Sequence, residues 1–267
     1  MERFQFGKNW LQFLNSLSED RINNSKESLL SMLEMNSLKG KSFLDIGSGS
    51  GLSSLSAMRS GAIVHSYDYD LNSVKCTEEI KRRYYNGAEN WKIQEGSILN
   101  QKFCENLGKF DIVYSWGVLH HTGDMYRALK NADINLKCNG ILFLAIYNDQ
   151  RLKSRIWTRI KKTYVNFPFL RPIFIFFGYL IFWSPFFVLG MLRLNPFKKW
   201  KEYKKRRGMS PHYDIVDWMG GYPFEVAKPE EIIHFYLNIG YELKKLKTCG
   251  GRLGCNEFVF KKICQEK

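Results

Sequence analysis

This 267-residue chain predicts an α/β architecture: a parallel sheet with an antiparallel terminal strand, helices on both faces, and a helical insertion after the fifth strand. Three observations predict it. From residue 41 onward short apolar runs alternate with amphipathic stretches, the pattern of parallel strands joined by right-handed crossover helices. A glycine-rich turn, "LDIGSGSG", follows the first run, where an open sheet binds its ligands. The alternation stops near residue 151 and resumes after residue 210, and the last helix and strands must return to the same sheet, so the break is an insertion.

The elements follow in order. Residues 1–40 form a helical cap, because "SEDRINNSKESLLSMLEM" sets Ile22, Leu29, Leu30 and Leu33 near helical spacing and Gly40 closes it. Residues 41–150 are the ligand-binding core: "KSFLDIG" is a strand, "LSSLSAMRSG" a helix stopped by Gly61, "AIVHSYDYD" a strand and "NSVKCTEEIKRRYY" a helix. The strands "NWKIQEGS" and "KFDIVYSWG" come next, then the helix "DMYRALKNADINLK" and the strand "GILFLAIYND". Residues 151–210 are a basic and apolar helical insertion. Residues 211–267 hold a substrate loop, the helix "KPEEIIHFYLNIG", and the terminal strands "YELKKLKT" and "NEFVFKK".

Composition excludes disorder, since 45% hydrophobic residues can build a full core at this length. The net charge of +14 is local: residues 151–207 carry 15 Lys and Arg against one acid, Glu202, and the rest of the chain is neutral. Six scattered cysteines, with no C-x-x-C pair and no histidine at ligand spacing, argue against zinc and for reduced, mostly buried thiols. No metal is expected. "MERFQFGKNW" lacks the apolar core of a signal peptide, so the expectation is a cytoplasmic protein, peripheral at the inner face of a membrane.

In the glycine turn Gly47, Ser48, Gly49 and Gly51 depart from the dinucleotide fingerprint, because the third glycine comes one position early and Leu52 takes its slot. Asp45, two residues before Gly47, can anchor an amino-acid moiety through an amine or a bridging water. Asp68 ends the second strand, where an acid can accept both ribose hydroxyls. Together they describe a pocket for a nucleoside that carries an amino acid.

That constellation resembles the class I S-adenosylmethionine-dependent methyltransferases, and among them the small-molecule enzymes of the ubiquinone-pathway type. "FLDIGSGSG" resembles the family's first motif and "VHSYDYD" its ribose strand; "FDIVYSWGVLHHTGDMYRAL" and "LKCNGILFLAIYND" resemble its fourth and fifth strands with their turns. The resemblance implies a Rossmann-like fold, S-adenosyl-L-methionine as cofactor, and cofactor contacts at Asp45, the three glycines, Asp68, Ser97, Ile98 and Trp116. Ser97 stands where many members have an acid facing adenine, and Tyr69 is placed to stack on that base.

Methyl transfer from a sulfonium is an in-line displacement, and a general base helps when the acceptor is a hydroxyl. His120 and His121, after the fourth strand, are the candidates there. Tyr147, Asn148 and Asp149 end the fifth strand at the same cleft. The run "SPHYDIVDWMGGYPFEVAKPEE" reads as an irregular active-site loop, with His212, Asp214, Asp217, Trp218, Tyr222 and Glu225 on the substrate side.

The insertion contains "PIFIFFGYLIFWSPFFVLGML", an uncharged aromatic run between basic flanks. One pass through a bilayer would separate the last strands from their sheet. A hairpin bent at Pro185 and Gly190 is therefore expected, seated in the interface or closing over the site as a lid or subunit contact. At about 1 kcal/mol per basic residue near anionic lipid, its flanks give appreciable attachment. These readings lead to methylation of a small-molecule or lipid-linked acceptor, at oxygen. RNA methylation and a non-catalytic membrane scaffold or sensor are the alternatives.

Overall fold

In the computed structural model, which describes Phe4, Gly7, Leu14, residues 17–192 and residues 211–264, the alternating runs form one seven-stranded sheet. Its strands are β1 (Ser42–Ile46), β2 (Ile63–Asp68), β3 (Trp91–Glu95), β4 (Phe110–Trp116), β5 (Leu136–Tyr147), β6 (Tyr241–Lys247) and β7 (Cys255–Lys262). The spatial order is β3-β2-β1-β4-β5-β7-β6, with β1 to β5 parallel and β7 antiparallel between β5 and β6. Central strands are apolar on both sides, as at Phe43, Leu44, Leu142 and Phe143, because helices cover both faces.

The helices in chain order are α1 (Glu19–Leu33), α2 (Leu52–Arg59), α3 (Leu71–Tyr84), α4 (Gln101–Leu107), α5 (Met125–Ile134), α6 (Leu152–Asn166), α7 (Arg171–Leu192), α8 (Pro211–Gly220) and α9 (Pro229–Leu237). α1, α2 and α3 pack on one face around Phe43, Trp91 and Tyr114; α4, α5 and α9 pack on the other around Leu44, Leu129 and Phe260. Short polar side chains start three helices: Asp70, Asn100 and Asp124 accept the backbone N–H of Asn72, Phe103 and Arg127. α4 was not expected, because seven residues with one buried member, Cys104, show no readable period.

Several expectations are corrected. β5 begins at Leu136, not at Gly140; a bulge against β4, with Asn139 at φ 58°, absorbs the extra residues. Residues 211–220, expected as irregular loop, form α8, because Ile215 and Met219 share one helical face and pack against the insertion. α7 runs unbroken through Pro185 and Gly190. The chain instead bends by 111° between α6 and α7. Pro168 forces this bend by driving Phe167 out of helical geometry, and Arg171 closes the end of α6 by donating to the Tyr164 and Val165 carbonyls. Cys138 and Cys264, expected as thiols, are joined as a disulfide between the start of β5 and the segment after β7. The basic run of residues 193–208 lies outside the described residues.

Residues 221–228 return the chain from α8 to the sheet, and Glu225 fixes them. Its carboxylate accepts from Gly123 N at 3.0 Å and Met125 N at 3.1 Å, at the first turn of α5. Glu225→Ala is expected to lower stability by about 1–2 kcal/mol, seen as a lower urea midpoint at unchanged slope, with Glu225→Gln intermediate.

Candidate cofactor and acceptor site

At the carboxyl end of β1 the chain turns through Gly47, Gly49 and Gly51, with φ of 74°, 53° and 80°. Packing also requires glycine at two of them. A Cβ on Gly47 would stand 2.4 Å from Val118 Cγ1, and one on Gly51 would stand 2.9 Å from Thr77 Cα. The loop therefore sits directly on the turn after β4 and on α3.

Asp68, ending β2, ties this loop down. Its Oδ2 accepts from Gly49 N and its Oδ1 from Asp70 N, both at 2.9 Å. The Tyr69 backbone N–H also acts on this carboxylate, so three of its roughly four lone-pair sites are engaged and one is left for a hydroxyl donor. Burial pushes this carboxyl up to about 6, opposed by the backbone N–H groups of Asp70 and Gly49. Asp45 is drier. At 2% exposure it accepts from Ser54 Oγ at 2.5 Å, and the chain continues through Ser66 Oγ to Trp91 Nε1. Burial pushes it up to about 7, with Ser54 lowering it and the Asp68 charge adding to the rise. Asp45 thus links β1, α2 and β2 behind the loop.

The remaining cofactor candidates divide by exposure. Tyr69 is 60% exposed beside Asp68, and Trp116 is 49% exposed at a cavity of about 180 Å³ lined also by Ser53, Tyr114, Phe143 and Glu257. Ser48 turns its hydroxyl onto Thr77 Oγ1 at 2.9 Å. Ser97 accepts from Leu99 N, while the Ile98 side chain is buried in the core and its carbonyl accepts from Asn131. Ile98 therefore supports the third turn from beneath.

The acceptor-side candidates gather beyond β4 and β5. His120 and His121 occupy a single 3₁₀ turn, with their ring centroids 4.1 Å and 5.5 Å from Tyr147. Tyr147 in turn contacts Trp218 of α8 and Phe224. His120 is fully buried and accepts from Tyr147 N at Nδ1, so its proton is on Nε2, which has no partner. Burial holds its imidazole well below the ordinary range, with the charges of His121 and Lys161 adding. His121 donates from Nδ1 to the Pro223 carbonyl at 2.6 Å and is pushed by burial down to about 4. Burial thus favours the neutral form of both rings, and the tautomer leaves His120 Nε2–H as an unpartnered donor.

Other candidates lie apart. His212 meets Tyr179 of α7 at 2.9 Å, at the far end of α8 from Trp218. Asn148 Oδ1 accepts from Asn256, and Asp149 and Glu225 serve backbone groups. Burial raises Asp214 to about 6. One residue went unnoticed in the sequence. Lys161 of α6 is 1% exposed, its Nζ donates to the Trp218 carbonyl, and it lies 4.4 Å and 4.8 Å from the ring centroids of Trp218 and Phe224. Its signal was a lysine on the apolar face Trp157, Lys161, Tyr164, Val165.

Residues 44–142 match the family model of a methyltransferase domain. The ubiquinone biosynthesis O-methyltransferase of Pelagibacter ubique is 26% identical over 156 residues, which cover 57% of this chain and 62% of that protein. The protein of the same name from Coxiella burnetii is 30% identical over 128 residues, covering 48% and 52%. The chain therefore spans between half and two thirds of these relatives. Magnesium protoporphyrin IX methyltransferase from Synechocystis, solved with bound SAH, superposes with a TM-score of 0.53 over 90% of this chain and 83% of its own, at 13% identity. The fold they share is the Rossmann-like α/β sheet with antiparallel terminal strands.

Raised carboxyl groups give stability a definite pH dependence. Folded Asp45 and Asp68 hold protons that the unfolded chain loses above about pH 4, so the stability these two carboxyls contribute is greatest below that pH and falls as pH rises through about 6 and 7, against the opposite slope from the depressed His120 and His121. Asp45→Asn keeps an acceptor for Ser54 and is expected to flatten the fall. Urea titrations from about pH 4 to 8 measure it, and an unchanged slope would exclude a proton-binding Asp45.

Proposed function

We infer that this chain, whose residues 44–142 form a class I S-adenosylmethionine-dependent methyltransferase domain, transfers the cofactor's methyl group to an oxygen of a small, lipid-soluble acceptor. Asp68 carries the reading: a carboxylate held by two N–H donors at the strand end beside a glycine loop suits a ribose diol better than a pyrophosphate. Bound S-adenosylmethionine supplies a methyl group activated by its sulfonium. Asp68 would receive a ribose hydroxyl, Tyr69 and the Ser97 turn would flank the base, and the glycine loop at the head of α2 would receive the methionine end. The loop's positive-φ glycines and the remaining acceptor site of Asp68 fit that group.

The protein's remaining work is positioning and drying, since in-line transfer needs the acceptor oxygen about 3 Å from the methyl. α6 and α8 place Trp157 and Trp218, and the segment after α8 places Phe224, against Tyr147 beside His120 as the wall of the acceptor side. His120, neutral and with Nε2 unpartnered, would orient an acceptor by a hydrogen bond, while His121 is held by the Pro223 and Gly221 backbone.

The outer surface supports a lipid-soluble acceptor. Gly178 lets α7 approach Ile215 of α8, where a Cβ would stand 2.6 Å from Ile215 Cγ2. On the opposite side Ile173, Phe176, Phe177, Leu180, Ile181, Val188 and Met191 are 45–60% exposed. No single helix among the described residues is long and apolar enough to cross a membrane. A peripheral position at the membrane's cytoplasmic face fits this stripe, with Lys153, Arg155, Arg159 and Lys162 exposed on α6 for anionic headgroups. A polyprenyl-linked sugar or a quinone precursor would reach the site from that surface, and the relatives' ubiquinone role favours the second. RNA fits less well, because phosphates need cations where α7 presents rings.

Calorimetry with S-adenosylhomocysteine should show binding that Asp68→Ala weakens by roughly ten- to a hundredfold, one charge-assisted hydrogen bond being worth about 1.5–3 kcal/mol. No binding by the wild-type chain would sink the reading. In flotation with anionic liposomes, the combined substitution Ile173→Ser, Phe176→Ser, Ile181→Ser should move the protein to the unbound fraction at unchanged cofactor affinity; equal flotation would exclude lipid contact by α7.

A further inference from the structure

We propose that Lys161, His120 and Trp218 form a binding site for an anionic oxygen group of the acceptor, a carboxylate being the class that fits. The proposal rests on the methyltransferase reading and adds the acceptor's charge. This buried cluster holds hydrogen-bond donors that have no acceptor. Lys161 brings three N–H bonds, and its recorded acceptor is the Trp218 carbonyl. Among the described residues no carboxylate oxygen lies within ion-pair distance of its Nζ; Asp217 on α8 acts on it only through space. His120 Nε2 and Trp218 Nε1 are buried and have no partner.

These donors belong to one packed cluster. His120 touches Tyr147 at 4.1 Å between centroids, Tyr147 touches Trp218 at 5.8 Å, and Lys161 Nζ lies 4.4 Å from the Trp218 centroid. The cluster also adjoins the cofactor loop, because Val118, two residues before His120, is the residue against which Gly47 packs. A buried ammonium on π faces with one carbonyl acceptor, in a cluster that also holds two orphan N–H donors, is short of acceptor lone pairs, and a carboxylate brings them with a charge. Burial pushes the Lys161 ammonium down to about 7, with Asp217 opposing, so a bound anion would restore its charge. The acceptor would thereby be anchored by its anionic end beside the methyl donor.

The test uses the full chain saturated with S-adenosylhomocysteine and two matched probes, benzoate and benzamide, titrated by calorimetry. Wild type should prefer benzoate by about tenfold, or ~1.4 kcal/mol. Lys161→Met should reduce that preference to within about twofold, Lys161→Arg should keep part of it, and Trp218→Phe, which keeps a ring and removes the N–H, should lose a few-fold. S-adenosylhomocysteine affinity should stay unchanged throughout, which also shows that each variant is folded. Equal affinity of wild type for both probes, including none for either, would overturn the proposal, as would a preference that survives in both Lys161→Met and Trp218→Phe. Displacement of benzoate by equimolar inorganic phosphate would assign the site to a free anion and overturn the acceptor claim. Failure of wild type to bind S-adenosylhomocysteine would strike the methyltransferase reading instead.

Discussion

The antiparallel seat of β7 between β5 and β6 constrains everything else. Tyr147, the last residue of β5, pairs with Cys255, the first of β7, so residues 148–254 must leave and return at one end of the sheet. Exit and return are tied together: Asn148 N donates to the Gly254 carbonyl, Asp149 N to Ala227, and Ala227 N to Tyr147. Residues 150–226, inserted before Ala227 rejoins β5, therefore stand beyond the carboxyl end of that strand, while α9 and β6 return to the sheet. That is the end where an open α/β sheet binds ligands, so the insertion becomes the wall of the site by topology alone.

The two halves of the site meet burial in opposite ways. On the cofactor side carboxylates lie in a dry environment and are stabilised by hydroxyl and backbone donors, as Asp45 is by Ser54 and Asp68 by Gly49. On the acceptor side the buried charge is a cation, Lys161, among rings and neutral histidines. Val118, packed on Gly47 and two residues from His120, is the covalent and steric link between the two halves.

α7 is apolar on both sides for two different reasons. Its inner side contacts α8 and α6 through Tyr179, Phe182 and Trp183. The outer stripe has no such cover among the described residues, and a soluble protein rarely leaves so long an aromatic surface in water. One helix thus packs on α6 and α8 with one side and leaves an apolar stripe on the other.

What the sequence by itself determined is local. Strand and helix alternation, the glycine turn and Asp68 at the end of its strand are legible because periodicity and positive-φ turns are written within a few adjacent residues. Tertiary structure alone decided the rest. Cys138 meets Cys264 across 126 residues, α8 is a helix because α6 and α7 bury Ile215 and Met219, and the tautomer of His120 is set by the backbone of Tyr147. Lys161 looks like one more cation of a basic segment until α8 and Phe224 close over it. Each of these depends on groups far apart in the chain, whose meeting is fixed by the closed path from β5 back to β7 and by no local pattern.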